Sequence, residues 1–400
     1  MQSDSIATTG KILFTLAILI GITAVATLQL QAQSFSVVHN FTGGSDGAGP
    51  MNGFTGDVAG NLYGTASIGG TSNFGVVFRL SPNGAVTVLH NFAGGVDGAT
   101  PDGALIRDKA GNFYGTTTSG GVSNAGTVFR ITPAGQETVL YTFTGGADGK
   151  DPEAGLAIDG AGNLYGTTQS GGAKGNGTVF RLAAPKTGGK WAQKVLYSFG
   201  GGTDGTLPVA GVTLTSGGRI LGTTSTGGQL GFGTIFQLAA SGSNWIETTV
   251  HHFKNTDDGG TPYAGLIADK AGNLYGAATQ GGNGGGGTVF KLTPAGNSWT
   301  FAVLFSQPGW GVSGSFRNLV MDGLGNLYGT THCDGASSAG TVYKLTPATG
   351  SWKYTELYMF TGGTDGLYSF SNLSFRQGKL YGTTNLGGSK NFGTIFSILP

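Results

Sequence analysis

The sequence is short of cysteine and of charge. Its 400 residues include a single cysteine, Cys333, so no disulfide can form within the chain and packing must hold the fold together. Only 21 Lys and Arg and 20 Asp and Glu are present, which gives a net charge of +1 without any basic cluster. We therefore expect no nucleic-acid partner, because binding to phosphates needs a basic surface that displaces counterions.

Motifs of the common enzyme classes are missing as well. No His-Glu-x-x-His or Walker sequence occurs, nor any Cys-x-x-Cys or His-x-x-x-His pair. The glycine-rich segments join strands rather than opening helices, so they do not suit a phosphate cradle. These absences predict neither a cofactor nor a metal site.

Glycine, by contrast, is abundant, with 79 residues. Runs such as 281–287 break the strict three-residue period that collagen requires. A disordered chain is also excluded, because 38% of the residues are hydrophobic and 24 Phe and 13 Tyr are present. The chain is therefore expected to bury a core.

The N-terminus differs from the rest of the chain. Lys11 precedes an uncharged apolar stretch, 12–30, and a small residue, Ala32, follows it. This pattern predicts a signal peptide over 1–32, or an uncleaved membrane anchor of marginal length. Either case predicts an extracytoplasmic protein, with membrane contact only if the segment is retained.

Three short strings recur seven times in the remaining chain, 33–400. The spacing between copies is 51 to 56 residues, and each repeat predicts four short strands, a to d, separated by turns. The strings are Gly-Asn-Leu-Tyr-Gly-Thr (beginning at Gly60, Gly111, Gly162, Gly218, Gly272, Gly325 and Gly378), Gly-Thr-Val-Phe (beginning at Gly75, Gly126, Gly177, Gly233, Gly287, Gly340 and Gly393) and Val-Leu-Tyr-x-Phe (closing at Phe41, Phe92, Phe143, Phe199, Phe253, Phe305 and Phe360).

The order of the strings favours a closed ring. The mature chain opens with strand d alone, 36–41, and ends with strand c, 393–399. In a ring the N-terminal strand completes the last blade and covers its edge. We predict an all-β fold over 33–400, a seven-bladed β-propeller with four-stranded blades. A β-helix, the competing fold, would need end caps, and none is visible.

These strings resemble the tandem repeat called GloVer, which occurs in exported bacterial proteins of unassigned activity. The resemblance covers nearly all of the mature chain, and five repeats carry most of the signature residues. It implies an exported, often surface-attached protein with a kelch-like propeller. It implies no catalytic residue.

Candidate ligand-binding residues lie where the repeats diverge, on the propeller face that carries the d–a and b–c connections. The Gly-Gly-x-Asp-Gly string of the d–a connection is interpreted as a turn, with calcium or sugar binding as the alternative. Just before strand a, Asp102 and Glu153 of adjacent blades are candidates for a carboxylate pair. The candidate ligand-binding set is Asn52, Asp102, Glu153, Tyr263, Trp310, Arg317 and His332.

The sixth repeat is irregular on the same face. Its d–a connection contains Trp310, a platform on which a sugar ring can stack, and its b–c connection contains His332 and Cys333. Adjacent residues of one loop rarely converge on one ion, so a metal site is not predicted there. His39, His90 and His251 share a column with Tyr residues of strand d, which indicates packing.

Two functions follow from these observations. The favoured hypothesis is a monomeric, non-enzymatic binding or scaffold module for a glycan or a cell-surface protein. The alternative is a polysaccharide hydrolase or lyase that uses Asp102, Glu153 and Arg317 at the channel mouth.

Overall fold

A computed structural model describes residues 34–186, 188–307 and 319–400. These residues form 28 β-strands and no helix, and the strands make seven four-stranded antiparallel sheets. The predicted signal segment, 1–32, lies outside the described residues. None of the described residues belongs to a helix that could cross a bilayer.

The strands fall into seven blades. Blade 1 contains β2 (Thr55–Gly56), β3 (Leu62–Ala66), β4 (Val76–Leu80) and β5 (Val86–Asn91). Blade 2 contains β6 (Ile106–Arg107), β7 (Phe113–Thr117), β8 (Thr127–Ile131) and β9 (Glu137–Thr142). Blade 3 contains β10 (Ala157–Ile158), β11 (Leu164–Thr168), β12 (Thr178–Ala183) and β13 (Ala192–Ser198). Blade 4 contains β14 (Thr213–Leu214), β15 (Ile220–Thr224), β16 (Thr234–Ser241) and β17 (Asn244–His252). Blade 5 contains β18 (Ile267–Ala268), β19 (Leu274–Ala278), β20 (Thr288–Ala295) and β21 (Ser298–Ser306). Blade 6 contains β22 (Val320–Met321), β23 (Leu327–Thr331), β24 (Thr341–Ala348) and β25 (Ser351–Met359). Blade 7 contains β26 (Ser374–Arg376), β27 (Lys379–Thr384), β28 (Thr394–Ile398) and β1 (Ser36–Asn40).

The first strand of the chain closes the ring. Strand β1 pairs antiparallel with β28, with Ser36 opposite Ser397, and so supplies strand d of blade 7. All other blades use four consecutive strands in the order a, b, c, d. The predicted seven-bladed propeller with a displaced N-terminal strand is confirmed.

Strand b is buried on both faces in blades 1 to 6 and mostly buried in blade 7, and its glycine makes this possible. In blade 3 the strand runs from Leu164 to Thr168 and is buried throughout. Gly166 lies opposite Phe180 of strand c. A Cβ atom at Gly166 would lie 2.7 Å from the Phe180 ring, so any larger residue would displace that ring.

The hydrophobic core lies between neighbouring blades. Phe199, which ends strand d of blade 3, is 0% exposed and packs edge-on against Phe236 of blade 4, with ring centroids 5.1 Å apart. Such contacts join six of the seven interfaces and bury large apolar areas. The pairs are Phe41–Phe78, Phe92–Phe129, Phe143–Phe180, Phe199–Phe236, Phe253–Phe290 and Phe360–Phe396.

The interface between blades 5 and 6 departs from this pattern. The sequence string placed Phe305 at the closing aromatic position, but the strand register puts Phe305 two residues earlier, where blade 3 has Tyr197. Gln307 takes the closing position instead, and its Nε2 donates a hydrogen bond of 2.9 Å to Oδ2 of buried Asp334. The prediction of Phe305 as the closing residue was therefore wrong, because Gln307 occupies that position. Phe305 instead stacks on Tyr354 of blade 6, with ring centroids 5.0 Å apart.

Side chains of strand b also link blades to their next neighbours, except in blade 5, where Ala277 takes the place of the threonine. The Oγ1 atom of Thr116 donates to the carbonyl oxygen of Ala154 at 2.9 Å, and that of Thr167 donates to Ala210 at 3.0 Å. Thr383 of blade 7 donates to the carbonyl oxygen of Asn52 at 3.3 Å in the same way. The closing interface thus repeats the bonding of the other interfaces.

Candidate functional site

The d–a and b–c connections lie on one face, here called the mouth face. In six blades a backbone bridge joins the two connections, as between Lys150 and Ser170 of blade 3. The repeated Asp of the d–a connection closes a turn: Asp148 accepts hydrogen bonds from Thr144 N at 2.8 Å and from the hydroxyl of Tyr141 at 2.9 Å. This geometry agrees with the interpretation of the string as a turn.

The column of His and Tyr residues in strand d therefore does more than pack. His251 Nε2 lies 3.0 Å from Asp258 Oδ2, and the His251 ring stacks on Phe301 of the next blade at 3.9 Å. Burial lowers the pKa of His251 below its usual value, while Asp258 opposes that shift. These histidines belong to separate structural pairs.

On the opposite face, an Asp at the end of strand a organises the a–b turn. Asp159 accepts hydrogen bonds from Asn163 N at 2.9 Å, Asn163 Nδ2 at 2.8 Å and the Tyr165 hydroxyl at 3.0 Å. Burial by itself would raise the pKa of Asp159, but these hydrogen bonds outweigh it and lower the pKa. The Gly-Asn-Leu-Tyr string is thus a structural motif.

A cavity of about 310 Å³ opens on the mouth face, at the inner ends of the blades. Its rim is formed by residues three positions before the buried apolar residue that directly precedes strand a. These rim residues are Met51, Asp102, Glu153, Val209, Tyr263 and Phe370. Four of the candidate residues named from the sequence fall on or beside this rim: Asn52, Asp102, Glu153 and Tyr263.

Asp102 provides a buried acceptor at the rim. Its Oδ2 atom accepts a hydrogen bond of 2.9 Å from Thr118 Oγ1, whereas Oδ1 is shielded from solvent and has no hydrogen-bond partner. Burial raises the pKa of Asp102 to about 7; the Thr118 hydrogen bond opposes this shift and the negative charge of Glu153 adds to it. The two carboxyl groups named from the sequence therefore interact.

The other side of the rim is apolar and aromatic. Tyr263 exposes 39% of its surface to solvent, and Phe370 and Val209 also line the cavity. His332 packs behind Phe370, with ring centroids 4.1 Å apart. The cavity thus combines a polar wall with an apolar one, a combination typical of small-molecule sites.

The remaining candidates fall into two groups. Trp310 and Arg317 lie outside the described residues. Asn52 lines the cavity one position after the rim column, where blade 2 has Gly103 and blade 3 has buried Ala154.

Met51 and Phe370 line the rim although sequence reasoning did not name them. Met51 lies three residues before Phe54, and Phe370 lies three residues before Leu373, the same offset as between Glu153 and Leu156. Counting back from the buried residue that precedes strand a would have found both. Sequence reasoning took Asn52, one residue further on, as the position of blade 1, and named no candidate in blade 7.

Within the described part of the chain, no group of three or more His, Cys, Asp or Glu side chains is arranged to hold a metal ion.

Similarity to solved structures concerns the fold. The extracellular domain of a protein described as a hybrid two-component system from B. thetaiotaomicron is 13% identical, with a TM-score of 0.60, over 92% of this chain and 42% of that chain. A protein described as a 6-phosphogluconolactonase from Bacteroides uniformis is 15% identical, with a TM-score of 0.52, over 80% of this chain and 88% of that chain.

No curated protein sequence matches the chain. The model of the Gloeobacter/Verrucomicrobia repeat matches residues 21–236 and 211–400. As the resemblance to the GloVer repeat predicted, the chain belongs to the Gloeobacter/Verrucomicrobia repeat family.

Proposed function

We propose that the chain is an extracytoplasmic, non-enzymatic binding module that takes a glycan at the rim of its cavity. The observation that carries this proposal is the division of one cavity into a carboxylate wall, with Asp102 and Glu153, and an aromatic wall, with Tyr263 and Phe370. Carboxylates accept hydrogen bonds from sugar hydroxyls, while aromatic rings pack against the apolar face of a sugar.

The size of the cavity and the rigidity of its frame support the same function. A volume of about 310 Å³ is at the small end of ligand sites and suits one or two sugar rings. The rim residues precede strands whose neighbours are fixed by bonds between blades, such as that from Thr116 to Ala154. A preorganised rim loses little entropy when a ligand binds.

The proposed location rests on the sequence of the N-terminus and on the family. The apolar stretch 12–30 predicts export, and the repeat resembles that of exported proteins. A monomer is expected, because one chain completes the ring. A cell-surface protein is the other class of ligand that this face could bind.

A glycan array followed by calorimetric titration tests the proposal. Tyr263→Ala and Phe370→Ala should each weaken binding of a positive glycan by about tenfold, because each removes a stacking surface worth roughly 1 kcal/mol. Phe74→Ala is the matched control, since Phe74 is 42% exposed and does not line the cavity. Absence of any glycan ligand on the array, or equal weakening by the control, would overturn the proposal.

A polysaccharide hydrolase or lyase is the second candidate function. The interaction between Glu153 and Asp102, together with the Asp102 pKa of about 7, favours it, because a general acid needs a raised pKa beside an ionised partner. Arg317 would complete the site predicted from the sequence. Release of reducing ends from a bound polysaccharide, abolished by Asp102→Asn with Glu153→Gln, would support the enzyme; turnover that survives the double variant would refute it.

A further inference from the structure

The small net charge of the chain conceals an uneven distribution between the two faces. In the described part of the chain, the d–a and b–c connections of the mouth face contain eleven Asp and Glu residues but four Lys residues and no Arg. The a–b and c–d connections of the opposite face contain five acidic and five basic residues. Arg317 lies outside the described residues and is not counted.

Two residues of this excess, Asp102 and Glu153, line the cavity. Charges of one sign at a concave site concentrate the electric field, because the protein walls of the site have a low dielectric constant. Such a site attracts ligands of opposite charge. The four lysines of the face, Lys150, Lys174, Lys254 and Lys390, do not line the cavity. The field at the rim therefore favours cations.

At the rim itself, one carboxylate oxygen of Asp102 receives no hydrogen bond. Its Oδ1 atom is buried and has no hydrogen-bond partner, although unpaired buried acceptors are rare and costly. A ligand ammonium that reached this oxygen would form a charge-assisted hydrogen bond in a partly dehydrated site. Neutral sugar hydroxyls could occupy the same place but would gain less there.

The aromatic wall suits the same ligand class. Tyr263 and Phe370 line the cavity together with Asp102. The face of an aromatic ring attracts a nearby cation, and the attraction grows when both are removed from water. A carboxylate and aromatic rings around one small cavity is the arrangement by which proteins recognise ammonium groups.

We propose that the rim site recognises a cationic, amine-bearing saccharide, such as a glucosamine-type unit, in preference to its neutral N-acetylated counterpart. This inference rests on the proposed function, because it names the glycan class that the cavity takes. Asp102 binds the ammonium group, and Tyr263 and Phe370 pack against the ring.

Calorimetric titration with two matched oligosaccharides tests the inference. The probes are the glucosamine tetramer (a chitosan oligomer) and the N-acetylglucosamine tetramer, which has the same backbone without the charge. The glucosamine tetramer should bind at least about tenfold more tightly at low salt, and this preference should shrink as ionic strength rises.

Two variants locate the effect. Asp102→Asn should abolish the preference for the charged tetramer. Asp257→Asn removes one exposed carboxylate from the same face, away from the cavity, and should retain the preference. Thermal unfolding of both variants confirms that each is folded before titration.

The outcomes separate this inference from the proposed function. Equal or tighter binding of the N-acetylated tetramer, or a preference that Asp102→Asn leaves intact, would overturn the inference while glycan binding stands. If neither tetramer binds, the inference also fails, and the glycan array decides the proposed function independently.

Discussion

Replacing Phe199 tests whether the apolar contacts between blades hold the ring together. Phe199 is 0% exposed and packs on Phe236 at 5.1 Å. Phe199→Leu keeps most of the buried volume and should cost about 1 kcal/mol, whereas Phe199→Ala opens a cavity and should cost about 3–5 kcal/mol. For a ring of this length, each kcal/mol corresponds to about 1 to 2 °C in melting temperature.

Phe199→Gln is the decisive member of the series, because the chain already carries Gln307 at the equivalent position. Gln307 is tolerated where Asp334 accepts its hydrogen bond. The b–c connection next to Phe199 has Gly227 in place of Asp334, so the new amide would be buried without that partner. We expect Phe199→Gln to cost at least as much as Phe199→Ala, that is, about 3 kcal/mol or more.

Urea titration and differential scanning calorimetry measure the stability of each variant in the series. Val58→Ala is the control, because Val58 is 99% exposed and its truncation should change stability by less than about 0.5 kcal/mol. If Phe199→Gln were as stable as Phe199→Leu, the argument that this position requires an apolar side chain would be refuted.

Three further predictions concern titrating groups. His251→Tyr should keep the hydrogen bond to Asp258 and make the melting temperature less sensitive to pH. Burial lowers the His251 pKa, so the wild-type histidine reduces stability as pH falls through about 6.5. An unchanged dependence of melting temperature on pH would contradict this reasoning. Asp159→Asn should lower stability near pH 7 by about 1–3 kcal/mol and reduce the loss of stability on acidification. The Asp159 pKa is lowered in the folded state, so the stabilisation by its carboxylate disappears as pH falls through that value. Equal acid sensitivity of the variant and the wild type in urea unfolding would refute this prediction. Asp102→Asn should raise stability at about pH 8 by at least about 1 kcal/mol, with a smaller gain at about pH 5. The reason is that the Asp102 pKa is raised, so its ionised form is costly in the folded state. A variant less stable than the wild type at about pH 8 would contradict this prediction.

Repetition made the architecture predictable. The pattern of Leu164–Thr168 recurs with small changes in every blade. A single copy of so short a pattern is ambiguous, but seven copies identify strand b. The lone N-terminal strand, Ser36–Asn40, indicated closure because a linear stack has no use for it. The repetition of the sequence was therefore enough to predict the fold.

The site was predictable only in part. Asp102 and Glu153 stood out as charged residues at a divergent position, and the structure brings both to the rim. Met51 and Phe370 were missed, because the position in blade 1 was assigned to Asn52, one residue further on, and none was assigned in blade 7. The partnership of Tyr141 with Asp148 also escaped notice, since it spans seven residues and a turn whose path only the folded backbone defines.

Closing the ring with its first strand imposes an order on biosynthesis. Strand β1 is made before the other strands of the ring, yet its partner β28 reaches residue 398, so β1 must wait for nearly the whole chain. Until then, Phe41 cannot pack against both Ile395 and Phe78. A nascent chain that crosses a membrane from its N-terminus would thus emerge with an unpaired strand, and blades 1 to 6 could form before the ring becomes cooperative. Refolding should accordingly have a late step that reports on the pairing of Val37 with Phe396, where the first and last strands of the ring meet.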